Sequence, residues 1–156
     1  MRFYRRLLPF DAISFDLDDT LYSNQPIMLA TDAQMIIYFK RIFSDYGLDS
    51  SLYTFDFRFW WPFRQQVIVQ TPMLKHDIGL LREKSYYLGA LSLGLPSANA
   101  QLVANLALGY FVEQRSNFTL PQKTHDILSY LKRRVPLVAI TNGNVDTNKI
   151  GIAKYF

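Results

Sequence analysis

Residues 15–22 read FDLDDTLY, and they follow an apolar run over 12–16, AISFD, with the character of a buried parallel β-strand. An acidic loop therefore leaves the carboxyl end of a strand. Outward from it, the pattern turns helical at Pro26: Met28, Leu29, Met35, Ile36, Phe39, Ile42, Phe43 and Tyr46 recur near three and four apart, and Gly47 is placed to stop the helix. Residues 53–63, YTFDFRFWWPF, are dense in aromatics, and Pro62 predicts two short pieces there rather than one uninterrupted helix. Further helices are expected over 77–93 and from Ser97, as N-cap, towards Arg115. Pro121 opens one more, with Ile127, Leu128 and Leu131 on one face and Lys132, Arg133 and Arg134 near the end where cations suit the helix dipole.

That helix leads into a second apolar run over 136–140, which ends in the polar turn Thr141, Asn142, Gly143, Asn144. Two buried-type strands thus bracket a helical block, the layout of an α/β protein with a Rossmann-like core and an inserted helical cap. The expected division is core over 1–23, helical cap over 24–118 and core again over 119–156. In open α/β sheets ligands bind at the carboxyl ends of the strands, so Asp16 and Thr141 are expected to face one crevice. Neither internal repeats nor low-complexity tracts occur.

The bulk numbers allow this and little more. A chain of 156 residues holds one core plus an insertion, and an aromatic share of 15% supplies enough burial for a folded protein. There is no cysteine, which removes disulfides and thiolate-metal sites and leaves a cytoplasmic location as the expectation. The opening MRFYRRLLPFDAISFD carries signal-like arginines, but Pro9 and Asp11 cut its apolar run short, so neither export nor a membrane anchor is expected. The net charge of +4 is scattered, with short basic clusters only at Arg5 and Arg6 and at Lys132 to Arg134; this is a solvated surface, and no nucleic-acid partner is expected.

Asp16 and Asp18 stand two apart on a tight loop and repel each other when close. A divalent cation neutralising one, with the other keeping a proton, would relieve the conflict and separate a nucleophile from a general acid. On that reading Asp16 attacks phosphorus to form an aspartyl phosphate, while Asp18 protonates the leaving oxygen and later takes a proton from the hydrolytic water. Magnesium (Mg2+), which joins one or two carboxylates with phosphate, suits such a site, and the hydroxyl and free N–H groups of the second loop would hold phosphoryl oxygens.

FDLDDTLY after one strand and VAITNGN after a later one resemble motifs one and two of the haloacid dehalogenase superfamily. The resemblance implies that Asp16 is nucleophile and metal ligand, that Asp18 is acid and base and meets the metal through its backbone carbonyl, that Thr141 and Asn142 hold phosphate, and that Thr20 supports the loop. A carboxylate at position 18 is similar to the phosphatase and phosphomutase branches. MRFYRRLLPFDAISFDLDDTLYSN and LPQKTHDILSYLKRRVPLVAITNGN resemble a riboflavin-pathway branch that dephosphorylates flavin mononucleotide and a phosphoribitylamino-uracil precursor; the likeness is loose over 49–71. The expected partner is accordingly a small phosphorylated metabolite.

The same resemblance requires a further lysine and a later acidic pair. Lys149 follows Thr141 too closely and Lys154 precedes the final Tyr155 and Phe156, so neither is assigned, and the core is expected to be incomplete. Uncovered strand edges then make a homo-oligomer or a complementing chain an expectation, and the chain alone is expected to hydrolyse p-nitrophenyl phosphate poorly. Competing readings are a phosphomutase and a non-catalytic interaction or assembly module. DLDD and Thr141–Asn142 are also ordinary turn sequences, and the aromatics over 55–63 suit core or subunit packing better than stacking on a flavin or pyrimidine ring. His76 and His125 are read as surface or capping residues.

Overall fold

The computed structural model describes residues 9–156; Arg5, Arg6 and the rest of the signal-like start lie outside the described residues. Strand β1 (Ile13–Phe15) pairs in parallel with β2 (Leu137–Ala139), in the register Ile13 to Leu137 and Phe15 to Ala139. The ladder is extended at both ends, where Ile13 N–H donates to Pro136 O at 3.0 Å and Ile140 N–H donates to Phe15 O at 2.8 Å. Among the described residues these two strands form the whole sheet, and Val138 and Ile140 are left exposed on it. A parallel pair needs a long crossover. Here the crossover contains the five α-helices of the described residues: α1 (Asn24–Asp45), α2 (Phe57–Gln70), α3 (Ile78–Ser92), α4 (Ser97–Arg115) and α5 (Gln122–Lys132).

Burial falls into two separate apolar clusters. The larger lies wholly in the helical block, where α4 packs between α1 and α3, and α2 lies on α3. On α4 the buried residues Ala100, Val103, Ala104, Ala107 and Phe111 recur at helical spacing, and their small size lets neighbouring helices approach closely. Opposite them stand Phe39 and Phe43 of α1, with Phe39 fully buried between the rings of Trp60 at 4.4 Å and Tyr86 at 4.9 Å. Gly89 on α3 is required by this packing, because a Cβ there would lie 2.4 Å from the Trp60 ring. The second cluster joins Leu17 and Tyr22 beside β1 to Leu128 of α5, Leu137 of β2, and Val145, Ile152 and Tyr155 of the C-terminal segment.

Several elements differ from the sequence reading for identifiable reasons. The aromatic stretch is one helix from Phe57 onward, not two pieces broken at Pro62. Pro62 costs one backbone hydrogen bond. Against that cost stand the burial of Trp60 and Val67 and the Asp56 carboxylate, which accepts from Arg58 N and Phe59 N and satisfies two otherwise free donors. Pro96, not Ser97, is the N-cap of α4; the Ser97 hydroxyl is instead 3.0 Å from Tyr87 Oη. Ile127, expected on the buried face of α5, is 47% exposed, and Leu128 alone on that helix is fully buried. Leu29 likewise faces solvent, outside the buried stripe of α1. His125 is not a plain surface residue: its Nδ1 lies 3.0 Å from Tyr155 Oη.

Candidate functional site

The acidic loop is built by short-range bonds that the sequence dictates. Leu17 is fully buried and anchors it. Its carbonyl accepts from Leu21 N–H at 2.9 Å and from Thr20 N–H at 3.3 Å, while its own N–H donates to Asp16 Oδ1 at 2.8 Å. Asp19 takes a left-handed conformation (φ 55°), which an aspartate tolerates better than most residues, and its carboxylate accepts from Asn24 N–H at 2.8 Å. The third acid of the motif thus stitches the loop to the first turn of α1. Thr20 itself is exposed and contributes through its backbone.

Asp16 stands exposed at the end of β1, and Thr141 and Asn142 stand exposed just beyond β2. These residues, with Ser14, Phe15 and Ile140, line one crevice at the carboxyl edge of the sheet. The second loop closes on the first at Gly143, where a Cβ would lie 3.2 Å from Asp18 Oδ2 and 3.3 Å from Thr141 Oγ1. That close approach explains the glycine. Gly143 N–H also donates to Thr141 Oγ1 at 3.0 Å, which orients the hydroxyl.

Asp18 is held from a direction the sequence reading missed. Arg115, the last residue of α4, is 3% exposed and places Nη2 2.6 Å from Asp18 Oδ1, the only ion pair among the described residues. Tyr22 Oη donates to the same oxygen at 2.6 Å. Repulsion between Asp16 and Asp18 is thereby offset by a fixed guanidinium reaching in from the helical block. Arg115 is the only cation in α4, the one signal in the sequence that could have drawn attention to it. Its neighbours complete a junction: Ser116 Oγ accepts from Asp146 N–H at 2.8 Å, Lys149 Nζ donates to Glu113 O at 2.9 Å, and the rings of Tyr22 and Phe118 lie 4.7 Å apart. Lys149 is thus engaged by α4. Lys154 lies beside the Tyr155 ring, and its carbonyl accepts from Lys132 Nζ.

Burial, and after it the hydrogen bond and charge of Asp18, push the Tyr22 phenol well above its ordinary range. A raised folded-state value favours the protonated phenol, so this stabilisation is whole below an unfolded pKa of about 10 and is lost as pH rises through the higher value. Tyr86, raised by burial, acts in the same sense. Melting temperature should therefore fall above pH about 10, and less steeply in Tyr22→Phe. Melts followed by circular dichroism from pH 8 to 11 would show it; parallel curves for the two proteins would contradict it.

The one carboxylate lining the crevice is that of Asp16, and among the described residues no group of three His, Cys, Asp or Glu is gathered that could hold a metal ion. An oxygen donor of this kind suits a hard cation that keeps several waters and shares phosphate oxygens better than it suits zinc.

No family model matches the chain. It is 36% identical over 156 residues to the 5-amino-6-(5-phospho-D-ribitylamino)uracil phosphatase YigB of Escherichia coli (strain K12), a match covering all of this chain and 63% of the relative. The chain thus spans less than two thirds of that protein's length. The fold matches that of a 2-haloacid dehalogenase from Pseudomonas syringae pv. Tomato DC3000 with a TM-score of 0.84 and 26% identity, over 95% of this chain and 62% of that one. No helix among the described residues is long and apolar enough to cross a membrane. With the acidic loop and the threonine loop converging at the carboxyl ends of two parallel strands, and with both likenesses running through them, the chain belongs to the haloacid dehalogenase superfamily.

Proposed function

We propose that this chain supplies the nucleophile and the phosphate-holding loops of a phosphatase acting on small phosphate monoesters, with a phosphorylated ribitylamino-uracil as the favoured substrate. The observation that carries the reading is the crevice in which Asp16 meets Thr141 and Asn142. The named substrate of the Escherichia coli relative supports the choice of ester. On this reading the helical block over 24–118 is the cap and residues on either side of it belong to the core.

Asp16 Oδ2 attacks phosphorus, the bond from phosphorus to the ester oxygen breaks, and Asp18 gives its proton to that oxygen. Water then attacks the aspartyl phosphate, its proton passes to Asp18, and the Asp16–phosphorus bond breaks to free phosphate and restore both carboxyl groups. Because Oδ1 of Asp18 is held by Arg115 and Tyr22, the proton travels on Oδ2, the oxygen beside Gly143. Thr141 Oγ1 and the N–H groups of its turn hold the phosphoryl oxygens. Asp16 and the Asp18 carbonyl would hold magnesium, which supplies neutralising charge to the phosphoryl group when bound.

The test is phosphoryl mimicry at Asp16. Beryllium fluoride with magnesium should raise the melting temperature of the wild-type chain, by the equivalent of about 2.7 kcal/mol at a hundredfold excess over the dissociation constant, and leave Asp16→Asn unmoved. Equal responses from the two proteins, or none from the wild type, would remove the proposal.

A further inference from the structure

The paired strands present a face that no helix among the described residues covers. Ala12, Ser14 and Asp16 along one strand line, and Pro136, Val138 and Ile140 along the other, are all exposed. Ile13, Phe15, Leu137 and Ala139, which alternate with them, turn instead into the apolar cluster shared with Leu128 of α5. Successive side chains in a strand point to opposite sides, and Ser14 pairs with Val138 in the register, so the six exposed residues form one surface. Its centre is apolar, with Val138 47% and Ile140 62% exposed. Parallel strands ordinarily carry cover on both sides, which marks this side as unpartnered.

Charge singles out the occupant. At the carboxyl end of the strands Asp16 lies on the face itself, and Asp19 is exposed in the loop that follows. At the amino end the turn into β2 carries three exposed cations in succession, Lys132, Arg133 and Arg134, against one acid, Asp11. Lys132 and Arg134 are bound back onto their own chain, at the carbonyls of Lys154 and Tyr130. Arg133 has no ion-pair partner among the described residues. A surface that is acidic at one end, apolar in the middle and basic at the other is complementary to itself after half a turn.

We propose that this face binds a second copy of the chain, with the strands of the two copies antiparallel and related by a two-fold axis. Val138 of each copy then meets Val138 of the other near the axis, and Ile140 lies over Pro136. The Asp16 end of each copy comes over the Arg133 end of the other. The face runs about 13 Å along the strands, five residues of β structure, so the contact belongs to the small and weak class of interfaces. Because Ser14 and Ile140 also line the crevice at Asp16, the second copy closes that crevice.

Sedimentation equilibrium of the full chain, carried into the high micromolar range because small contacts are weak, should show a reversible monomer and dimer. Val138→Lys and, separately, Ile140→Lys should each abolish the dimer. Both positions are exposed, so the circular-dichroism melts of these variants should match wild type. Arg133→Gln and Asp16→Asn should each weaken association about tenfold, the effect of losing two symmetry-related exposed ion pairs, and the double variant should be no weaker than either alone. A wild-type chain that stays monomeric, assemblies larger than a dimer, a dimer that survives both lysine substitutions, or losses that add in the double variant would each overturn the proposal.

Discussion

Replacing Phe39 with alanine should destabilise the protein by about 3–5 kcal/mol, as expected for removing a buried phenylalanine ring. Phe39 is fully buried and meets the rings of Phe43, Phe55, Trp60 and Tyr86 within 6.1 Å, so the space it vacates is enclosed on every side by large groups anchored to three different helices. Those groups cannot collapse inward without moving their helices, which places this substitution at the costly end of the range. In a chain of this size the loss corresponds to a fall in melting temperature on the order of 10 °C. The apolar cluster around Phe39 shares no residue with the one beside the strands. Hydrogen exchange should accordingly quicken most in α1 to α4, with α5 and the two strands less affected. A melting temperature within two degrees of wild type would show that the helices do not rely on this ring.

Arg115→Ala should have the second large effect, for a different reason. Removing one partner of a buried ion pair typically costs 3–5 kcal/mol because the other charge is left unpaired. Asp18 keeps 23% exposure, so water can take over part of the lost interaction, and roughly 3 kcal/mol is the expected loss. Arg115→Met separates packing from charge: it keeps most of the side-chain volume and removes only the guanidinium. Both variants should loosen the junction between α4 and the acidic and threonine loops. Faster exchange is expected at the Gly143 amide, since Gly143 lies beside Asp18, and at the Asp146 amide, which is held by Ser116, the residue after Arg115. Chemical denaturation and hydrogen exchange would measure the two effects; unchanged stability in both variants would mean that the ion pair is incidental.

Sequence reading and structure agree where the information is local. The strand before Asp16, the helix stopped by Gly47, the helix that begins after Asp77 and the strand before Thr141 are each specified by periodicity, capping or chain-breaking residues within a few positions. Differences arise where a local preference competes with burial. Pro62 is disfavoured inside a helix, but Phe59 and Trp60 before it pack on the apolar cluster and Val67 after it is buried, so that α2 runs through it. Ile127 fits the apolar stripe of α5 by spacing, yet the apolar cluster beside the strands takes in Leu128 and part of Leu131 and leaves Ile127 exposed.

The sequence by itself determined the class of fold, the acidic and threonine loops and their place at strand ends, because strand and turn chemistry is written in adjacent residues. Tertiary structure alone decided that Asp18 would be gripped by Arg115, 97 positions away. No spacing rule connects such residues. Their meeting depends on how α4 docks between its neighbours and where its last turn ends, which is set by the summed packing of the apolar cluster and not by any local pattern.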